Sequence, residues 1–379
     1  MSNLDVAPVL KSMNSQNLST AAVGSSCNAT DLICLWEGIL LCVGPLDQYP
    51  IFPAIATMNS LIFVAGVLGN TLVLYVQLYT QRSARPEVHL YVCNLAVADL
   101  CVILTLPFWT FSLLDHDVWR LGDLLCKLTH TAYSANLYAS IFFIVAISVD
   151  RYVSLVRWPD PLGRRRDERV HARRLACTMV WILALLGSVP DMLFISSELV
   201  PLDNHTICVA TYPLETFPSW MAGTQLSLNL VGFALPCIAI TLCHVLVHRA
   251  LVRSHAPNHA RHLVLAYTLV FLTCWFPYHC VLFLDALVLL EVVPAHCMFE
   301  RVLFGALHVA QCFSLVHCCA NPMLYTLLGQ AVTSEDNSFL HAFLMRFRAP
   351  PVRRESTCPL GAERLSSGIE FTEIFSVTS

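Results

Sequence analysis

The stretch LVLAYTLVFLTCWFPYHCVLFLDALVLL, residues 263–290, carries one carboxylate, Asp285, and no lysine or arginine. It exceeds the roughly 20 residues that a helix needs to cross about 30 Å of hydrocarbon. Six more runs of this kind occur, at Ile51–Leu78, Leu90–Leu114, Leu124–Val149, Leu175–Ile195, Trp220–Val247 and Phe299–Leu328. Hydrophobic residues make up 56% of the chain and charged residues 13%, against about 25% charged in a soluble domain. Backbone groups in lipid must pair internally, and runs this long do so as helices, not as the short alternating strands of a barrel. The expected fold is an all-α membrane protein. A bundle of seven transmembrane helices occupies residues 51–328, between an N-terminal tail, 1–50, and a C-terminal tail, 329–379.

Basic residues orient the bundle. Of 22 Lys and Arg, 17 lie in alternate connections and the C-terminal tail, while Lys11, Arg120, Lys127 and Arg301 lie on the other side. Positive charge marks the cytoplasmic face, so the N-terminus is outside and the C-terminus inside. The first fifty residues lack the pattern of a removable signal peptide, which leaves the first span as the targeting signal. The sequons at Asn17, Asn28 and Asn204 all fall on the outer face. After the last span, the amphipathic run FLHAFLMRFR (Phe339–Arg348) is expected to lie as a short helix on the inner leaflet.

The cysteines divide by compartment. Cys126 opens the third span and Cys208 lies in the second outer loop, both in an oxidising environment where a disulfide persists. A second bridge, from Cys42 to Cys297, would tie the N-terminal tail to the seventh helix. Cys27 and Cys34, also outside, either pair with each other or stay free. A metal site from His317, Cys318 and Cys319 is not expected, because adjacent helical residues point to different faces.

Charged and polar groups inside a membrane are costly and mark function. Asp99 sits in mid-span with no basic residue near it in sequence. Asn70, Asn136 and Ser140 (the last two four apart on one helix face) and Asn321 are candidates to converge on it, and such a carboxylate among neutral oxygens suits a structural sodium ion, held by Asp99, Asn136, Ser140 and Asn321. No other cofactor is expected. Asp150-Arg151-Tyr152 ends the third span, 25 residues from Cys126 and so about 37 Å away. An Asp–Arg pair there would hold a resting state. Pro107, Pro190, Pro236, Pro277 and Pro322 each remove a helix hydrogen bond. Trp275, two residues before Pro277, and Asn321-Pro322 with Tyr325 are read as moving parts of a switch.

These residues resemble the rhodopsin-like (class A) G-protein-coupled receptors. Gly69-Asn70, NLAVADL (Asn94–Leu100), Asp150-Arg151-Tyr152, Trp181, CWFP (Cys274–Pro277) and NPMLY (Asn321–Tyr325) follow in family order. TLPFW (Thr105–Trp109), WRLGDLLC (Trp119–Cys126), HCCANP (His317–Pro322) and the Cys42/Cys297 pair are similar to the chemokine-receptor group, and ASIFFIVAISVDRYV to its atypical, scavenging members. The resemblance implies ligand contacts at His130, Tyr133, Asp191 and Asp285, with Trp109 and Gln311 in the same pocket. Two departures matter: DRYVSLV has Ser154 where signalling members carry alanine, and Gln311 stands where many carry an acid. Both point toward ligand uptake with weak G-protein signalling.

Charge supports a basic ligand. Fourteen acidic residues on the outer face meet four basic ones, a field that steers cations inward. The resemblance then implies a plasma-membrane receptor, cycling through endosomes, for a chemokine or related basic peptide. Its other partners would be the lipid bilayer, an arrestin docked on a phosphorylated tail and, for a conventional signalling receptor, a heterotrimeric G protein. No catalytic arrangement, phosphate-binding glycine loop or nucleic-acid motif is present, so neither an enzyme nor a nucleic-acid binder is expected.

Overall fold

The computed structural model describes residues 51–80, 89–157, 166–200, 205–254, 259–294 and 296–324. Asn17, Asn28, Asn204, Cys27, Cys34, Cys42, Tyr325 and the Phe339–Arg348 run lie outside the described residues, as does the side chain of Cys297. The described residues all belong to one compact unit, within Met1–Val332.

Seven helices among the described residues are long and apolar enough to cross a membrane. They run Ile51–Leu78, His89–Leu114, Gly122–Tyr152, Asp167–Phe194, Phe217–Ala250, Thr268–Leu289 and Met298–Leu324. The fourth starts eight residues before its apolar run, because arginines such as Arg174 on long stems can hold a helix while their heads stay in the polar layer. The third and seventh spans are the most enclosed: 67% of each apolar window is buried, against 22% for the fourth and fifth. The fourth span approaches the third closely at Gly187, where an added Cβ would come within 2.6 Å of the Tyr138 ring.

Each proline interrupts the helical ladder differently. Ahead of Pro107 the second span tightens, with Thr105 bonding back to the Val102 carbonyl through both its amide (3.0 Å) and its hydroxyl (2.7 Å). Ahead of Pro236 the fifth span opens into a π-helical turn, Leu230–Ala234. The sixth stays helical from His259 to Leu289, through Pro277. In the seventh, Leu315, Val316, Cys318 and Cys319 all bond three residues back. Pro322 has no N–H to give the Cys318 carbonyl four residues earlier. Asn70 of the first span supplies it instead, donating from Nδ2 to the carbonyls of Cys318 and Gly66, both at 2.9 Å. Gly69 beside it allows this approach, since a Cβ there would sit 3.0 Å from the Pro322 ring.

The outward end is roofed by an antiparallel hairpin, β1 (Ile195–Val200) and β2 (His205–Ala210), in the register Ile195↔Ala210. The Cys126–Cys208 disulfide fastens β2 to the top of the third span. Trp119, almost wholly buried, adds a second fastening: its amide donates to the Thr206 carbonyl (2.7 Å), and its carbonyl accepts from the Thr206 hydroxyl. A cross-link that closes 82 residues of chain stabilises mainly by limiting the unfolded ensemble.

Replacing Asn70 by alanine removes the buried donor that serves the Cys318 carbonyl. We expect Asn70→Ala to lose about 1–3 kcal/mol of stability, read as a lowered midpoint in thermal unfolding of the detergent-solubilised protein.

Candidate functional site

Under the hairpin lies a cleft between the third, fourth, fifth, sixth and seventh spans, with a volume of about 70 Å³. Pockets that hold whole small ligands run to roughly 300 Å³ or more, so this one has room for little more than a side chain. His130, Tyr133, Asp191 and Gln311, four of the residues expected to touch ligand, line it.

Asp285 is buried and accepts a 2.6 Å hydrogen bond from Gln225 Nε2, which lines the cleft from the fifth span. Trp109 is one step back: it packs edge-on against His130 (centroids 4.6 Å) and tilts against Trp119 at 5.7 Å. The Nε2 atom of His130 is buried and without a hydrogen-bond partner. Sequence reading missed Gln225 and Tyr278. Gln225 was findable as a lone amide in an apolar run, and Tyr278 as the residue after Pro277, facing inward.

Two of the four basic residues on this outer side are neutralised locally. Arg120 donates to Asp115 at 2.5 Å and Lys127 to Asp123 at 2.7 Å. The Arg120 hydrogen bond also holds the exposed Asp115 carboxyl below its ordinary range. The acidic surplus around the mouth is therefore not cancelled by these cations.

The floor of the cleft is aromatic. Tyr133 and Tyr278 each pack against Trp275, at 5.8 and 5.9 Å, and Tyr133 shares a 3.0 Å hydrogen bond with Ser314. Trp275 lies 5.3 Å from the His317 ring. His317 belongs to a buried polar cluster around Asp99, where Asn136 donates to Oδ1 (3.1 Å) and Asn321 to Oδ2 (2.9 Å). Ser140 completes the set, 3.4 Å from Asn136 Nδ2. Asp99, Asn136, Ser140 and Asn321 thus meet, Asn70 turns instead to the Gly66 and Cys318 carbonyls, and His317 and Cys318 join the cluster. Those two adjacent residues converge on Asp99, where helix geometry led us to expect divergence. The imidazole is long enough to reach across the helix face.

At the cytoplasmic end the ion pair differs from expectation. Asp150 is clamped by Arg173 of the fourth span, Nε to Oδ1 at 2.8 Å and Nη2 to Oδ2 at 3.3 Å, and not by its neighbour Arg151. Adjacent residues on a helix splay by about 100°, and the fourth span presents a second guanidinium across the seam with the planar two-point geometry that suits a carboxylate. Sequence reading counted Arg173 only toward orientation. Tyr152 and Arg151 are half-buried beside it.

Residues 69–325 match the model for the rhodopsin family of seven-transmembrane receptors. The chain is 35% identical to atypical chemokine receptor 3 of Homo sapiens over 325 residues, 85% of this chain and 87% of the other. It is 34% identical to C-X-C chemokine receptor type 4-A of Xenopus laevis over 291 residues, 75% and 78% of the two chains. It is also 30% identical to type-1 angiotensin II receptor B of Xenopus laevis over 328 residues, 85% and 87% of the two.

Arg173→Met leaves the Asp150 carboxylate half-buried and unpaired. We expect a loss on the order of 3 kcal/mol, with much of it recovered in the double variant Asp150→Asn/Arg173→Met. A double-mutant cycle on thermal unfolding measures the coupling.

Proposed function

The chain belongs to the rhodopsin family of seven-transmembrane receptors, in its chemokine-receptor group, and from that premise we propose that it captures a chemokine or related basic peptide outside the cell and internalises it. The family is one of receptors and not of enzymes, and the seven spans make the chain a multi-pass plasma-membrane protein. The observation that carries the ligand class is the pair Asp191 and Asp285, one lining a cleft too small for a folded partner and the other buried beside it. A carboxylate in the cleft wall, with a second one behind Gln225, fits a lysine or arginine side chain on an extended segment. The remainder of a basic protein would rest on the acidic surface above.

Recognition proceeds in two stages on this reading. Long-range attraction between the electronegative mouth and a cationic ligand raises the rate of encounter and falls with salt. Insertion of the ligand's end then brings it onto Tyr133 and Tyr278, which touch Trp275.

Uptake in place of strong G-protein signalling is supported by three features: the similarity to a relative named atypical chemokine receptor 3, Ser154 after the Asp-Arg-Tyr motif, and Gln311 where many signalling members carry an acid. The competing reading, a conventional signalling receptor, is favoured by the intact Asp150-Arg151-Tyr152 and by the similarity to C-X-C chemokine receptor type 4-A.

Cells expressing the chain and given fluorescent chemokines decide between them. We expect uptake without a cAMP or calcium response, and expect Asp191→Lys/Asp285→Lys to reduce uptake roughly tenfold or more at unchanged surface expression. A second-messenger response abolished by Arg151→Ala would establish the signalling reading. Unchanged uptake after charge reversal would remove the cleft from recognition.

A further inference from the structure

We infer that Asp99, His317 and Cys318 form a binding site for a soft divalent ion such as zinc, distinct in chemistry from the oxygen-lined sodium site that Asp99 with Asn136, Ser140 and Asn321 would offer. Three observations carry this, and none depends on which ligand the outer cleft receives.

The first is spacing. Asp99 Oδ1 to His317 Nε2 is 3.5 Å, Asp99 Oδ1 to Cys318 Sγ is 3.5 Å, and Cys318 Sγ to His317 Nε2 is 3.5 Å. The donors form an equilateral triangle. Strong hydrogen bonds between nitrogen and oxygen are shorter, about 2.7–3.2 Å, so the carboxylate–imidazole contact is loose as a hydrogen bond. The same edge is what tetrahedral coordination requires: bonds of about 2.0–2.3 Å to oxygen, nitrogen and sulfur place neighbouring donors roughly 3.3–3.8 Å apart. Ser140 Oγ lies 3.5 Å from His317 Nε2, and it or a water could complete the shell.

The second is preorganisation. The Ser314 carbonyl is only an acceptor, so His317 Nδ1 must donate to it across their 2.6 Å contact. In the neutral ring this leaves the Nε2 lone pair directed at the other two donors. Asp99 is held in turn by Asn136 and Asn321. Metal-binding imidazoles and carboxylates are typically fixed in this way by an outer ring of hydrogen bonds.

The third is charge and softness. A thiol and an imidazole are poor partners for an alkali ion and good ones for zinc. Binding displaces the Cys318 thiol proton to solvent. A doubly charged ion between one carboxylate and one thiolate then leaves the cluster neutral. Neutrality matters where all three residues are essentially inaccessible, Asp99 and Cys318 at 0% and His317 at 1% exposure, in a region where net charge is expensive.

The test uses the full-length chain in lipid nanodiscs with cobalt(II), then zinc, as probes. We expect about one cobalt per chain, with tetrahedral ligand-field bands and a thiolate-to-cobalt charge-transfer band. Zinc at stoichiometric amounts should displace it, and a large excess of sodium should not. Cys318→Ser keeps an oxygen for sodium but should abolish the charge-transfer band and weaken cobalt binding roughly 10- to 100-fold. His317→Gln should weaken it similarly, and Cys319→Ser should leave it intact. Failure of the wild-type chain to bind cobalt while it still melts cooperatively overturns the proposal, without any variant being needed. So does a cobalt spectrum unchanged by Cys318→Ser, which would place the ion elsewhere. Displacement of cobalt by sodium would make this an oxygen site for an alkali ion.

Discussion

A proline in a lipid-spanning helix leaves one carbonyl without its donor, and hydrocarbon offers no water to take the donor's place. Much of this structure follows from how those carbonyls are served. At Pro107 the helix tightens and Thr105 turns its hydroxyl back on the chain, while at Pro236 a π-helical turn absorbs the mismatch. At Pro322 the repair comes from another helix, through Asn70. Only the last of these locks two spans together, the first and the seventh. It does so at the Cys318 carbonyl, three residues from Asn321, at the level where the polar cluster forms. The proline thus determines both where the seventh helix is irregular and where polar side chains become necessary.

From that level the contacts run outward without a gap. Asp99 neighbours His317, His317 packs on Trp275, and Trp275 packs on Tyr133 and Tyr278 at the floor of the outer cleft. The ring of Trp275 is fully buried, and its Nε1 has no hydrogen-bond partner. Its ring contacts include Tyr133, Tyr278, Phe271 and His317, so it joins the floor of the outer cleft to the polar cluster.

Most of the fold was legible because bilayer thickness imposes a length on apolar runs that chance does not supply seven times. Residues whose function depends on a local pattern were legible too: the Thr105–Pro107 break, the cysteine of the third span with that of the outer loop, and the four polar groups of the Asp99 cluster. What could not be read was reach and direction. The sequence shows His317 and Cys318 as neighbours and so as divergent, whereas an imidazole spans enough distance to return to its neighbour's thiol. Gln225 is an isolated amide in sequence and a carboxylate's partner in space. The helices also overrun their apolar segments, as the fourth does from Asp167, because hydropathy registers where a chain is dry and not where its hydrogen bonding stops.

The cytoplasmic end shows the same principle acting on charge. The planar guanidinium of Arg173 meets both oxygens of Asp150, and at 7% side-chain exposure it is itself removed from water. Breaking Asp150 from Arg173 would require the third and fourth spans to separate at their inner ends, or would leave a carboxylate unpaired in a poorly solvated seam. The ion pair therefore works as a fastening between the third and fourth spans.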